Sequence, residues 1–499
     1  MESICRLDAH RVQIINPNGV DVTLFANADV PVDRRSVAEI VSFTGIARTL
    51  DELGRVGFFG PRGARVARMV LTPDFHRGAG IPVGTVVDAQ GFVLPRAIGR
   101  DIGCGMRLLA TDVTLEEFRA LGGALDRRLR AVFFEGDRGI PLSRAQREAI
   151  FRDGVQGLLA CRHAGRGLWE LWREDEQLAD VMRTHALGRF ATDELFGVDD
   201  FCRGSAASAG EFTYDDQIAS IGGGNHFTEF QCVDEVLEGD SAWRWGLRRG
   251  CLTIMVHTGS VGIGHLVGAH FMELARSLHP GQLRHPEHGF HPLPLDGPHG
   301  EAGRRYLSAM ASAANFAFAN RLFLGLMALR ALGDCLGRRV EARLVYDAPH
   351  NLAWPGGDGR VLHRKGACPA GQDAGDPEFP TGHPVIIPGS MGDASYVLRG
   401  EGAAASLCSA CHGAGRVASR QTARHADHEE LARLRVVTKV DPDSHAFRSR
   451  PDLVQEWRRT LLEEAPSAYK AITPVIDTVA GAGIAAPVCR LRPLLTVKG

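Results

Sequence analysis

Lysine is almost missing from this chain. Of the 57 basic residues, the lysines are Lys365, Lys439, Lys470 and Lys498; the rest are arginine. Against 59 acidic residues they leave a formal net charge of -2, which excludes a bulk polycation and leaves room for local basic grooves. Cysteine is thin as well: 11 scattered residues in 499, an odd number, exclude a disulfide scaffold and fit a reduced, cytoplasmic compartment. The opening "MESICRLDAHRVQ" lacks a basic start followed by an apolar run, so no targeting segment is expected. No long apolar run is clean. The best, Ala314–Gly333, is broken by Asn315, Asn320, Arg321 and Arg330, and is expected as a buried helix rather than a membrane span. Gly-Lys-Ser/Thr is absent, which excludes a P-loop NTPase. The glycine spacing of "GSVGIG" does not fit the dinucleotide fingerprint. There is no internal repeat and no clear linker.

What is present suits a large core. Hydrophobic residues make up 44% and charged residues 23%. The pattern predicts an α+β fold, a single large mixed domain over 1–499, with Gly/Pro-rich surface excursions near 279–303 and 355–383. Helical periodicity covers Ser143–Ala164, Arg304–Gly333 and Asp452–Ala465. Short apolar runs at 252–256, 343–346 and 384–387 read as strands. They lead into His257, into Asp347-Ala-Pro-His350-Asn351, and into Pro388-Gly389-Ser390-Met391. Polar groups at strand exits are where such folds place chemistry.

One donor set stands out. "GRDIGCGMR" sets Asp101 and Cys104 three apart among glycines that let the backbone curl. "IGGGNHFTEF" adds Asn225, His226 and Glu229, while His257 and His350 sit at strand exits. Singly, each of these is more often structural. Together Asp101, Cys104, His226, His257 and His350 offer O, S and N donors that could hold two divalent ions sharing the thiolate, suiting Mn, Co or Zn better than Mg. Paired ions of this kind serve phosphoryl chemistry.

"SLCSACHGAGR" allows three readings. Cys408-x-x-Cys411-His412 matches a haem attachment, which needs export that nothing here signals. A zinc knuckle needs a second Cys-x-x-Cys pair, and the chain has none. In the third reading, Gly413-Ala414-Gly415 forms an anion nest, Arg416 adds charge, and neutral His412 is a nucleophile toward phosphorus.

The motifs "PDFHRGAGIPVGTV", "PRAIGRDIGCGM", "GGGNHFTEF", "VHTGSVGIGH", "DAPHN", "HRKGA", "PGSMGDASYVLRG", "CHGAGR" and a final "VKG", in this order from Pro73 to Lys498, resemble the RtcB family of RNA-splicing ligases. The resemblance implies an enzyme that joins an RNA 2′,3′-cyclic phosphate or 3′-phosphate end to a 5′-hydroxyl with GTP and two Mn(II). It implies that Asp101, Cys104 and His226 hold one manganese, that Cys104, His257 and His350 hold the other, and that His412 becomes guanylylated. The guanylate pocket it implies comprises Asn225, His226, Phe227, Thr228, Glu229, His350, Asn351, Pro388, Gly389, Ser390, Met391, Ser395, His412, Gly413, Ala414, Gly415 and Lys498, with Tyr469 a possible stacking platform. Arg62 to Arg68 would be candidates for an RNA path. The chain departs from the family at Gly259-Ser260-Val261-Gly262, where an arginine is usual in place of Val261. A paralogue acting on other nucleic-acid ends, one that stops at guanylylation, and a metal-dependent phosphoesterase are the alternatives.

Overall fold

A computed structural model of the chain describes residues 4–78, 80–202, 211–426 and 428–499. Two large sheets carry the architecture. The eight-stranded sheet runs Ala342–Pro349, Gly105–Thr114, Cys251–Thr258, Phe227–Val236, Ala485–Val497, Ser395–Gly400, Pro384–Ile387, with Val436–Val437 pairing beside Ala485–Val497. The seven-stranded sheet runs Ile4–Arg6, Arg11–Ile14, Val22–Phe25, Arg65–His76, Val83–Gln90, Arg360–Lys365, Asn351–Pro355. Residue His350 lies between Ala342–Pro349 of one sheet and Asn351–Pro355 of the other, so the chain steps between sheets there. The fold is α+β.

Strand alternation explains how the larger sheet is buried on both faces. Along Gly105–Thr114, Leu109 and Val113 join one core, while Met106, Leu108 and Ala110 join another across the sheet. Helix Gly300–Leu336 lies in the first core. Its 37 residues make a rod of roughly 55 Å. By length and composition this helix could cross a membrane, but 83% of its most apolar stretch is buried inside the fold. The polar residues that interrupt it are fasteners. Asn320 binds the backbone of Ser220 and the Gly259 carbonyl. Asn315 binds Phe151 and Phe190 backbone atoms. Arg321, fully buried, bonds Asp347 at 2.8 Å, the Gly103 carbonyl at 2.7 Å and the Thr258 carbonyl at 3.0 Å.

The expected helices form as Arg144–Leu159, Gly300–Leu336 and Pro451–Leu462. A capping box between Ser143 and Gln146 starts the first, which breaks at Gly154 where φ is 57°. A side chain there would meet the Gly188 carbonyl oxygen at 2.1 Å. The expected strands form as Cys251–Thr258, Ala342–Pro349 and Pro384–Ile387. The stretch 355–383 is not a surface excursion throughout. It contains Arg360–Lys365, which pairs on both sides inside the seven-stranded sheet and carries fully buried His363. Glycine-rich sequence reads as loop because short strands need frequent turns: Gly366, at φ 64°, turns between Arg360–Lys365 and Ala367–Pro369. Likewise 279–303 is a loop only in part, since Leu293–Pro294 pairs with Phe92–Val93 and the long helix begins at Gly300.

Removing Arg321 would leave the buried Asp347 carboxylate with only the Arg107 guanidinium, 3.4 Å away, and would take the donor from the Gly103 and Thr258 carbonyls. We predict that Arg321→Met destabilises the protein by about 3–5 kcal/mol, read as a lowered unfolding midpoint. An unchanged midpoint would mean that the guanidinium is dispensable.

Candidate functional site

Antiparallel order places the beginning of one strand beside the end of its neighbour. The register pairs Pro349 and Thr258 with Gly105, and His257 with Phe227. Each pairing abuts a donor: Cys104 precedes Gly105, His226 precedes Phe227, His257 precedes Thr258, and His350 follows Pro349. Neighbouring strands lie roughly 4.8 Å apart, so the donors meet at one edge. Cys104 Sγ is 3.2 Å from His226 Nε2 and 3.3 Å from His257 Nε2. His226 Nε2 is 3.1 Å from Asp101 Oδ2, and His257 Nε2 is 3.3 Å from His350 Nε2. Two triads result, Asp101–Cys104–His226 and Cys104–His257–His350, with donor atoms within 4.8 Å in each. Cys104 belongs to both.

Protons satisfy this set poorly. Burial, then the Asp101 charge, push the Cys104 thiol well above its ordinary value. Burial and the neighbouring imidazoles push His257 and His350 well below theirs. Burial would raise Asp101, but the His226 charge and hydrogen bond hold it below the usual carboxylate range. Nδ1 of His226 and of His350 have no hydrogen-bond partner. A thiol, a carboxylate and facing imidazoles, all short of positive charge, fit borderline divalent cations.

His412 stands beside these donors. Its ring centroid is 4.6 Å from that of His350 and 6.3 Å from that of His257. Its Nδ1 meets the fully buried Asp74 Oδ2 at 2.7 Å, and Thr72 Oγ1 donates to Asp74 Oδ1 at 2.5 Å. Burial would raise Asp74, yet its bond and charge contact with His412 hold it low and ionised. An ionised acceptor at Nδ1 fixes the N–H there and leaves the lone pair on Nε2.

A cleft of about 620 Å³ opens over this group. Asp101, Cys104, His257, His350, Asn225, Phe227, Asn351, Pro388 to Met391, His412 to Gly415, Tyr469 and Lys498 all line it. The expected His226, Thr228 and Ser395 do not, and Glu229 lies deeper than the lining. Alternation turns Thr228 with Phe230 toward the long-helix core, opposite Phe227. Glu229 accepts from Thr496 Oγ1 at 2.6 Å and Gln231 Nε2 at 2.7 Å, and Gln231 also donates to Ser395 at 2.9 Å. Burial raises the Glu229 carboxyl to about 7, opposed by these bonds and the Lys498 charge. Lys498 is tied down: its ammonium donates to the Gly224 carbonyl, and the residue is 7% exposed.

Arg416 brings little free charge. Its guanidinium pairs with Glu464 at 3.2 Å and lies over the Tyr469 ring at 4.9 Å, so Tyr469 is already covered on that face. Arg55, Arg62, Arg65 and Arg68 lie away from the cleft; Arg35, Arg77, Arg416 and Arg420 line it instead. Val261 is not a lining residue either, and begins helix Val261–Ser277 with a left-handed φ of 47°.

Sequence reasoning missed Asp74, Lys365 and Lys470. Lys365 lines the cleft and donates to the Ile98 carbonyl at 2.8 Å. Lys470 donates to the Pro73 and Phe75 carbonyls at 2.9 and 2.8 Å, clamping the segment that carries Asp74. A signal was available: three of four lysines in an arginine-dominated chain lie at the site.

Fold and site thus define an α+β protein with a thiolate-centred pair of candidate metal sites facing a carboxylate-held histidine. The family profile described as "tRNA-splicing ligase RtcB" matches residues 63–499, and the chain belongs to the RtcB family. It is 34% identical to the tRNA-splicing ligase RtcB of Thermococcus kodakarensis over 86% of this chain and 87% of that protein. It is also 34% identical to the RNA-splicing ligase RtcB of Mycobacterium tuberculosis, over 86% of this chain and 96% of the relative. Identity to the tRNA-splicing ligase RtcB of Nanoarchaeum equitans is 32% over 87% and 88%.

We predict that Cys104→Ala weakens the binding of added divalent metal at both triads, whereas His226→Ala weakens it at one. Metal content after dialysis, measured by mass spectrometry, decides this. Equal losses in the two variants would refute a shared thiolate.

Proposed function

We propose that this protein is a GTP-dependent RNA ligase that seals a 3′-phosphate or 2′,3′-cyclic phosphate end to a 5′-hydroxyl end through a guanylylated His412. The observation that carries the reading is the Asp74–His412 pair, 2.7 Å apart, with His412 lining the same cleft as Asp101, Cys104, His257 and His350. The names of the relatives support RNA as the substrate. Asp101, Cys104, His226, His257 and His350 would hold two Mn(II). Such ions, when bound, draw charge from phosphate oxygens and acidify water.

The proposed reaction runs through three phosphoryl transfers. Nε2 of His412 attacks the α-phosphorus of GTP; an N–P bond forms, the α–β P–O bond breaks, and pyrophosphate leaves with the electron pair. Asp74 keeps the proton on Nδ1 and stabilises the positive charge that develops on the ring. Backbone N–H groups of Gly413 to Gly415 are the candidates to hold phosphate oxygens. An RNA 3′-phosphate oxygen then attacks the histidine-bound phosphorus, and the P–N bond breaks to regenerate His412. A cyclic end must first gain a water to become a 3′-phosphate. Last, the 5′-hydroxyl attacks the activated 3′-phosphate, loses its proton, and GMP departs. Glu229 would accept from guanine N–H groups in place of Thr496 or Gln231, and Lys498 would donate to guanine acceptors. The free cysteines fit a reducing, cytoplasmic setting.

Val261 supports a second reading, in which the chain completes guanylylation but seals RNA poorly: valine offers no charge to a phosphate. Incubation with GTP, manganese and a 3′-phosphate/5′-hydroxyl RNA pair tests both. Joined RNA is expected. Adduct without joined RNA, repaired by Val261→Arg, would favour the second reading, and phosphate release without GTP would refute both.

Three variants sharpen this. We predict that His412→Ala abolishes the covalent GMP adduct; labelling at the wild-type level would eliminate His412 as nucleophile. Asp74→Asn should slow adduct formation on the order of 100-fold or more while GTP still binds. For Glu229 the ionised form accepts from guanine, so GTP affinity should rise as pH rises through about 7. Lys498, Thr496 and Gln231 are the groups facing Glu229. Glu229→Gln should flatten the profile; an unaltered profile would assign the dependence elsewhere.

A further inference from the structure

A second group of histidines lies far from the cleft, at the other end of helix Val261–Ser277. That helix spans 17 residues, roughly 25 Å of rise, and its first turn follows the His257 loop. Just beyond its last turn comes "HPGQLRHPEHGFH", residues 279–291. His279, His285 and His291 turn one ring nitrogen each toward a common point, all three within 4.8 Å of one another. His285 Nδ1 and His291 Nε2 are 3.0 Å apart. The His279 and His285 rings stack at 4.7 Å between centroids, and the His291 ring stands across both, 5.3 Å and 5.1 Å away.

The loop that carries them is anchored rather than draped. Phe290 is buried and packs edge-on against Phe43 at 4.7 Å. His288, the histidine that stays out of the group, binds Thr49 Oγ1 at 3.0 Å. His279 is set by the helix end and its ring contacts the Arg284 carbonyl at 3.2 Å. His279 thus has an anchor outside the group, while His285 and His291 are set by the anchored loop between them and by each other. A cleft of about 450 Å³ adjoins the group, lined by His285 and His291 together with Arg96, Arg100, Arg276 and Glu273.

We propose that His279, His285 and His291 form a further metal site, for a borderline divalent ion of the zinc type, with a fourth position open to that cleft. Three imidazoles are a common zinc donor set. A tetrahedral ion with Zn–N bonds of about 2.0–2.1 Å keeps its nitrogens roughly 3.4 Å apart, between the spacings found in the group. No thiolate or carboxylate belongs to it, so it selects for nitrogen-preferring ions and differs in kind from the triads around Cys104. Its occupation would fasten the 279–292 loop to the end of the helix whose other end begins at the His257 loop.

The test uses chelator-stripped, untagged full-length protein, with zinc chloride and cobalt chloride as probes. In Cys104→Ala, one equivalent of zinc should still bind, and cobalt should give the visible d–d bands of a nitrogen-ligated ion without a thiolate charge-transfer band. Adding His285→Ala and His291→Ala should remove that zinc and those bands. In the Cys104-containing protein the same two changes should leave the thiolate band and the GMP adduct intact, which also reports folding. His288→Ala should retain the zinc. Absence of zinc and d–d bands in Cys104→Ala overturns the proposal, even if the triple variant does not fold. Undiminished zinc in a folded His285→Ala/His291→Ala protein overturns it equally.

Discussion

One guanidinium holds the site's frame. Arg321 has no exposed surface, and its bonds reach the Gly103 carbonyl, the Thr258 carbonyl and the Asp347 carboxylate. Those three groups lie one residue from Cys104, one from His257 and three from His350. Losing a partner is costly for a buried charge, since its bonds offset the desolvation. Strand register brings the donors to one edge; Arg321 makes their spacing specific. The long helix therefore serves both as a hydrophobic support and as the carrier of the fastener.

How much of this was legible beforehand depends on range. His257 and His350 stood at the ends of apolar runs, and the runs became strands. Pattern alone suffices there, since burial and alternation are local. Asp74 was invisible because its partner is 338 positions away and nothing local marks it as different from any buried carboxylate. Arg321 was read as an argument against a membrane span, which it is, but its three partners come from distant turns. The 355–383 stretch misled because glycine marks a turn without saying whether the turn is inside or outside. Thr228 was placed with its neighbours in the guanylate pocket, and the two-residue period of its strand turned it the other way.

Charge is handled economically around the cleft. Glu464 accepts from Arg416, Arg420 and Tyr469 and lies in the field of Lys498, which together keep it ionised despite burial. The Glu464 side of the cleft is thus a network of compensated charges, and Asp101, Cys104, His257, His350 and His412 line the same cleft.

The lysine distribution carries a consequence of its own. Lys470 and Lys498 are 4% and 7% exposed, Lys365 is half-buried with its ammonium on a carbonyl, and Lys439 is exposed. Acylating reagents and acetyl-transferring enzymes attack unprotonated, reachable amines and pass over guanidinium groups. To such chemistry the lysines of this molecule amount to a single handle at position 439, and the amines near His412 stay out of reach until the fold opens.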